Sequence, residues 1–406
     1  MKKKICVICG EKKMNEKDLL QKLEREGNLR TLPEAEHCGM WIVKDGRRML
    51  NLSSNDYLGL AADSGLQEEF WQELSSRDRW LSASSSRLLT GNFTVYTELE
   101  KLLAERFGRE SALVFSSGYH ANTGILPAVS DAHTLILADK LVHASLIDGI
   151  RLSSATCIRY RHQDYVQLRK LLEKHCHSYN RIILVTESVF SMDGDVAPLT
   201  ELVALKKEFK NVMLYVDEAH AIGVRGKRGL GVAEEQDCLQ EVDFLCGTFG
   251  KALASVGAYV VCSRLTHDYL VNRMRTLIFT TALPPLNVAW TKFVFERLEE
   301  WEGRRIRLAE ISRKVREAVR KAGYACPSES HIVPLIAGES EAALREAEAL
   351  QRQGLYVLAV RPPTVPEGTS RLRLSLTAAL PETEVEKIIT HIEQGGKLYH
   401  EVKLNS

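Results

Sequence analysis

Six short apolar runs rich in β-branched residues mark the middle of the chain: ALVFSS (112–117), TLILAD (134–139), RIILVTES (181–188), VMLYVDEAH (212–220), DFLCGTF (243–249) and AYVVCS (258–263). None alternates apolar with polar residues as a half-exposed strand does, so each reads as a strand buried on both faces. Between them the period changes. In TELEKLLAERFG (97–108) the leucines and Phe107 recur at helical spacing and a glycine stops the run. Strands that take turns with helices predict an α/β fold, a mostly parallel sheet flanked by helices. After TTALPPLN (280–287) come charged helical patterns and then a second, small α+β pattern ending in RLRLSLTAAL. The expected organisation is an N-terminal segment over 1–50, a large domain over 51–290 and a smaller C-terminal α+β domain over 291–406.

The length supports that division, because 406 residues exceed the ~250–300 at which a single core stops growing. A net charge of +1 carries no electrostatic footprint for nucleic acid or an anionic membrane. No apolar run approaches the ~18–20 residues of a membrane helix, and the first sixteen residues lack the apolar stretch of a secretory signal. A cytoplasmic protein is expected. Nine cysteines, several inside apolar runs (Cys157, Cys246, Cys262), read as buried reduced thiols. Cys6 and Cys9 supply only two of the four ligands of a structural zinc, with no partner pair at the right spacing, so no metal is expected.

In an open parallel sheet, ligands bind at the carboxyl ends of the strands, so the polar residues that close each run carry the chemistry. Here those segments are SSGYHAN, DKLVHAS, TESVFSMDGD, DEAHAIG and TFGK. Lys251 sits at the rim of an apolar sheet, where desolvation favours a neutral amine able to bond a carbonyl. Pyridoxal phosphate offers such a carbonyl, and the remaining residues match its other needs. Asp217 can face the ring nitrogen and His143 the ring face. Ser117, Gly118 and Tyr119 form a strand-to-helix turn for the phosphate, with Thr248 adding a hydroxyl.

Taken singly, each has an ordinary reading: a solvated lysine, an N-cap aspartate, a hydrogen-bonded His143 or His220. Their conjunction is what points to the cofactor. CGTFGK is not a phosphate-binding P-loop, because Leu245 replaces the first glycine and Ala252 the hydroxyl residue. SMDGD lacks the further ligands of a calcium loop and reads as a turn.

The ordered segments LNLSSNDYLGL, SRLLTGN, FSSGYHANTGIL, HASLIDGIRLS, VTESVFSMDGDVAPL, VDEAHAIGVRGKRGLG, TFGKALASVGAYVVCS, IFTTALPP and VRPPTVPEGTSRLRLSLTA cover about four-fifths of the chain. They resemble the α-oxoamine synthases, fold-type I pyridoxal-phosphate enzymes that condense an amino acid with an acyl thioester and release CO2. The resemblance implies that Lys251 bonds the cofactor aldehyde, Asp217 pairs with its ring nitrogen, His143 stacks on the ring and His220 bonds its ring oxygen. By the same resemblance Ser191 and Thr248 make polar contacts to the cofactor, and Glu187 lies beside it. Asn55 and Arg373, with Arg361 as a neighbouring candidate, would hold the substrate carboxylate, a task that suits the planar fork of arginine.

The implied partners are an amino acid and an acyl-CoA or acyl-carrier protein, and the implied assembly is a homodimer. RPPTVPEGTSRLRL leans toward the member that uses L-alanine and a pimeloyl thioester in biotin synthesis. Glycine C-acetyltransferase, 5-aminolevulinate synthase and serine palmitoyltransferase chemistry are the alternatives, and a cofactor-binding regulator is a distant one. Two departures bear on specificity. Residues 82–87 read SASSSR where relatives carry two further glycines, and Tyr96 replaces a histidine.

Overall fold

The computed structural model describes residues 15–404. Its strands, in chain order, are β1 (Glu36–Cys38), β2 (Trp41–Lys44), β3 (Arg47–Asn51), β4 (Ser111–Phe115), β5 (Thr134–Asp139), β6 (Thr156–Tyr160), β7 (Arg181–Glu187), β8 (Val212–Asp217), β9 (Phe244–Thr248), β10 (Ala258–Cys262), β11 (Ile332–Gly338), β12 (Leu355–Tyr356), β13 (Ala359–Val360) and β14 (Ser370–Ser375). Seven form the central sheet in the order β4-β10-β9-β8-β7-β5-β6. All its pairings are parallel except the two made by β10, which runs antiparallel to both β4 and β9. This is the α/β architecture, a mostly parallel sheet flanked by helices, that the alternation of strands and helices predicts.

Five of the six apolar runs are its inner strands, and the sixth, β4, lies at one edge. Ile182, Ile183, Leu184 and Val185 of β7 are wholly buried, each worth about 1.5–3 kcal/mol against exposure. β6 carries no such run, and its first four residues are exposed or half-exposed. It is the edge strand opposite β4, with a neighbour on one side only. Cys157 lies on it and is exposed, contrary to the expectation of a buried thiol; Cys246 and Cys262, on inner strands, are buried. All seven described cysteines are free. Cys6 and Cys9 lie outside the described residues.

The helix expected near 97–108 runs Thr94–Phe107, burying Leu99, Leu103 and Phe107. Gly108 ends it at φ +61, in the left-handed conformation that favours glycine.

Two small sheets complete the fold. One is antiparallel, β11-β14-β13; in the other, β1-β2-β3 joins β12 through a parallel β3–β12 pairing. Residues 36–51 are thereby tied to the C-terminal part of the chain. The helix Pro285–Glu296 runs through the boundary expected at 290/291 and packs against Thr94–Phe107 of the large unit. Among the described residues no helix is long and apolar enough to cross a membrane.

The sheet order explains where chemistry collects. β5, β7, β8 and β9 are parallel neighbours, so Asp139, Glu187, Asp217 and Thr248 end their strands side by side.

Candidate active site

Lys251 lies three residues beyond the end of β9, and its Nζ is 2.8 Å from His220 Nε2. Burial pushes its pKa down to about 8, against the opposing pull of Asp217 and Glu187. At neutral pH roughly a tenth of such amines are uncharged, far more than for a free lysine. His220 is buried, and burial together with the nearby Lys251 and Arg373 cations holds its pKa well below the ordinary range. It is therefore a neutral imidazole.

His220 Nδ1 is 2.7 Å from the Tyr57 hydroxyl, which donates to Asn55 Oδ1 at 3.0 Å and accepts from Arg373 Nη2 at 3.3 Å. One proton assignment satisfies the whole set: Nδ1–H donates to Tyr57, and Nε2 accepts from Lys251. Arg373 also donates to Asn55 Oδ1 (3.2 Å), Ser375 Oγ (2.6 Å) and the Ser191 carbonyl (2.6 Å). One N–H on Nη2 is left for a ligand.

Asp217 ends β8 with a carboxylate that accepts from Asn122 Nδ2 at 2.8 Å and from the Ala219 backbone N–H at 2.9 Å. Asn122 is itself fixed by Ser145 Oγ and by the Tyr215 hydroxyl. His143 is the N-cap of the helix Ala144–Leu152, held by Ser145 at 2.7 Å. Glu187 is buried, and burial with the neighbouring Asp217 charge pushes its pKa well above the ordinary range, so the carboxyl is protonated.

Ser117 caps the helix Gly118–Val129 by accepting from the His120 N–H, which leaves the N–H groups of Gly118 and Tyr119 at the open end of the helix. Thr248 faces Gly118 across this turn and donates to the Gly257 carbonyl at 2.9 Å. Tyr119's hydroxyl points instead to Asp148, at 2.9 Å.

The structure brings the sequence candidates together, with Arg361 placed apart from them. Arg361 is engaged elsewhere: its guanidinium donates to the carbonyls of Gly27 and Leu29, so it serves the N-terminal segment. Tyr57, Asn122 and His331 were not singled out from the sequence. Tyr57 stands inside the quoted LNLSSNDYLGL stretch and Asn122 closes the quoted SSGYHAN segment. His331 packs edge-on against Tyr57 with ring centroids 4.0 Å apart, and neither ring nitrogen has a partner among the described residues.

The two departures also have physical outcomes. Ser84 takes φ +49, a conformation that favours glycine, with its N–H held by Ser82 Oγ at 3.0 Å. Tyr96 is buried, under the Arg87 guanidinium and bonded to the Leu283 carbonyl, so it braces this loop from beneath.

These residues fit pyridoxal phosphate. Glu187 Oε1 is buried without a partner among the described residues. Beside it stand a carboxylate for a ring nitrogen, an amine of lowered pKa and a pair of free helix N–H groups.

The chain belongs to the class I and II aminotransferase family, whose model matches residues 47–392, and within it to the α-oxoamine synthases, which use pyridoxal phosphate. It is 58% identical over 377 residues to the 8-amino-7-oxononanoate synthase of Haemophilus ducreyi, covering 91% of this chain and 97% of that one. It is 56% identical over 371 residues to a putative 8-amino-7-oxononanoate synthase of Neisseria meningitidis serogroup C, covering 91% and 98%. Among solved structures, serine palmitoyltransferase of S. paucimobilis aligns with a TM-score of 0.85 at 30% identity, covering 95% and 97%. The 8-amino-7-oxononanoate synthase of Francisella tularensis aligns at 0.74 and 26%, covering 87% and 99%.

Proposed function

We propose that the chain joins L-alanine to a pimeloyl thioester with loss of CO2, giving 8-amino-7-oxononanoate and a free thiol in biotin biosynthesis. The observation that carries this is the Lys251–His220–Tyr57–Arg373 network beside Asp217, in a chain 58% identical to an enzyme of that name.

When bound, pyridoxal phosphate supplies an electron sink for the amino acid's Cα. Asp217, oriented by Asn122, would hold the ring nitrogen protonated, and His143 would cover the ring face. The Gly118 and Tyr119 N–H groups, with the Ser117 and Thr248 hydroxyls, would take the phosphate. His220 and Ser191 would contact the ring oxygen side, with the buried Glu187 carboxyl near Asp217 and Lys251. Arg373 presents its free N–H to the substrate carboxylate beside Asn55.

Lys251 Nζ moves the proton. As a neutral amine it takes a proton from the amino acid's Cα, the new Cα–acyl bond forms, and the C–S bond breaks to release a thiolate that solvent protonates. The carboxylate then leaves as CO2, and Lys251 returns a proton to Cα. His220 Nε2 keeps the amine aimed between transfers.

We read the assembly as a homodimer. Trp80, Leu81, Leu89 and Phe279 are all at least 60% exposed, and their two segments are joined through the Ala282 N–H and the Ser85 carbonyl. A patch of this kind asks for a protein cover. Free cysteines suit a reducing cytoplasm.

The test measures thiol release with L-alanine, glycine or L-serine against pimeloyl-, acetyl- or palmitoyl-CoA. L-Alanine with pimeloyl-CoA is expected to lead in kcat/KM by at least about tenfold. Preference for another pair would assign a sister reaction, and light scattering at the same concentrations reads the assembly.

A further inference from the structure

We propose that His162, which lies outside the site described above, is a positioning residue that pins two active-site loops to each other: the loop after β5 that carries His143 and the loop after β7 that carries Ser191. Its Nδ1 is 2.9 Å from Asp139 Oδ1 and its Nε2 is 2.8 Å from Asp195 Oδ2. Both partners are carboxylates, so both ring nitrogens donate. The ring holds the two donors in fixed and divergent directions, which a lysine or glutamine cannot do.

Each carboxylate shapes one loop. Asp139, wholly buried at the end of β5, accepts from the Leu141 N–H at 2.8 Å and the Gln163 N–H at 2.9 Å, setting the turn that leads to His143. Asp195 accepts from Gln163 Nε2 at 2.7 Å, and its carbonyl accepts from the Phe190 N–H at 3.0 Å, which closes the 190–195 loop. Phe190 meets the His162 ring edge-on at 4.5 Å.

The far side of that loop reaches the small antiparallel sheet. The Ser191 carbonyl accepts from Arg373, Asp193 pairs with Arg371, and the Gly194 carbonyl accepts from the Glu329 N–H. A continuous path therefore runs from the turn before His143, through His162, to the arginine facing the substrate. Without the cation, two buried carboxylates would confront each other, one with an oxygen already unpartnered. Those loops would separate.

Hydrogen exchange of the holoenzyme, read by mass spectrometry, tests the pin with His162→Phe and Asp195→Asn. In H162F, exchange is expected to rise about tenfold or more in 140–143 and 190–195 together, with β7 and β8 unchanged. In D195N, which keeps His162 on Asp139, only 190–195 should loosen. The effect on turnover rests on the function proposed above. KM for the amino acid substrate, whichever one the enzyme takes, should rise about tenfold in H162F while kcat changes less than about threefold. Loosening of one loop alone in H162F, a uniform rise across the sheet, or an unchanged KM would each overturn the proposal. If H162F fails to fold, His162→Gln, which reaches one carboxylate at a time, is expected to show the same paired loosening to a smaller degree.

Discussion

His220 and His162 both follow the carboxyl ends of strands in the same sheet, yet the structure holds them in opposite charge states. His220 is neutral: burial and the Lys251 and Arg373 cations hold its pKa well below the ordinary range. Around His162 burial works in the same direction, but hydrogen bonds to Asp139 and Asp195 outweigh it and push the pKa up to about 10. The sign of the neighbours decides whether a buried imidazole holds an amine or clamps carboxylates. Geometry follows charge: a neutral ring gives one donor and one acceptor, as Tyr57 and Lys251 require, whereas an imidazolium gives two donors.

The most severe way to break this contrast is Lys251→Ala. Product formation should fall by at least about a thousandfold, and the His220 resonance, followed by NMR with labelled histidine, should titrate at higher pH once the cation is gone. His220→Asn keeps a hydrogen-bonding side chain and should lower kcat by about a hundredfold without unfolding the protein. Tyr57→Phe removes the hydroxyl that joins His220 to Arg373, with an expected loss of about tenfold in kcat/KM.

The other histidine makes a prediction in pH. Its folded pKa, about 10, lies above the ordinary 6.5. Its stabilisation is therefore fully present below about 6.5 and is lost as the pH rises through about 10. Tyr160 and Tyr165, which also face Asp139, are held protonated beyond that window by burial. The Tm difference between the native protein and H162F should be largest near pH 6 and should shrink steadily toward pH 10.5. Smallest of all is Arg361→Gln: the substrate KM should change less than about threefold, with a stability loss near 1 kcal/mol from the freed Gly27 and Leu29 carbonyls.

Much of the site was legible in the chain because strand ends can be read from apolar runs. Asp217, Thr248 and Glu187 close such runs, and Lys251, His220, His143, Ser191 and Ser117 follow within a few residues. Arg361 and Arg373 could not be ranked that way. Both lie in polar C-terminal segments with the same chemistry, and only the packing of β14 beside Ser191 and Tyr57 separates them. His162 gave no signal either, because β6 is short and half-exposed and carries no buried run to point at it.

By itself the sequence determined the alternation of strands and helices, the apolar strands, and the residue types waiting at their ends, since these depend on neighbours along the chain. Tertiary structure alone decided the strand order, which made β6 an edge and exposed Cys157, and placed Asp139, Glu187, Asp217 and Thr248 side by side. It also joined Tyr57 to His220 across 163 positions and His162 to Asp195 across 33. Charge states belong to that second class. They depend on desolvation and on partners distant in sequence, so a histidine's role is set only when the fold has chosen its neighbours.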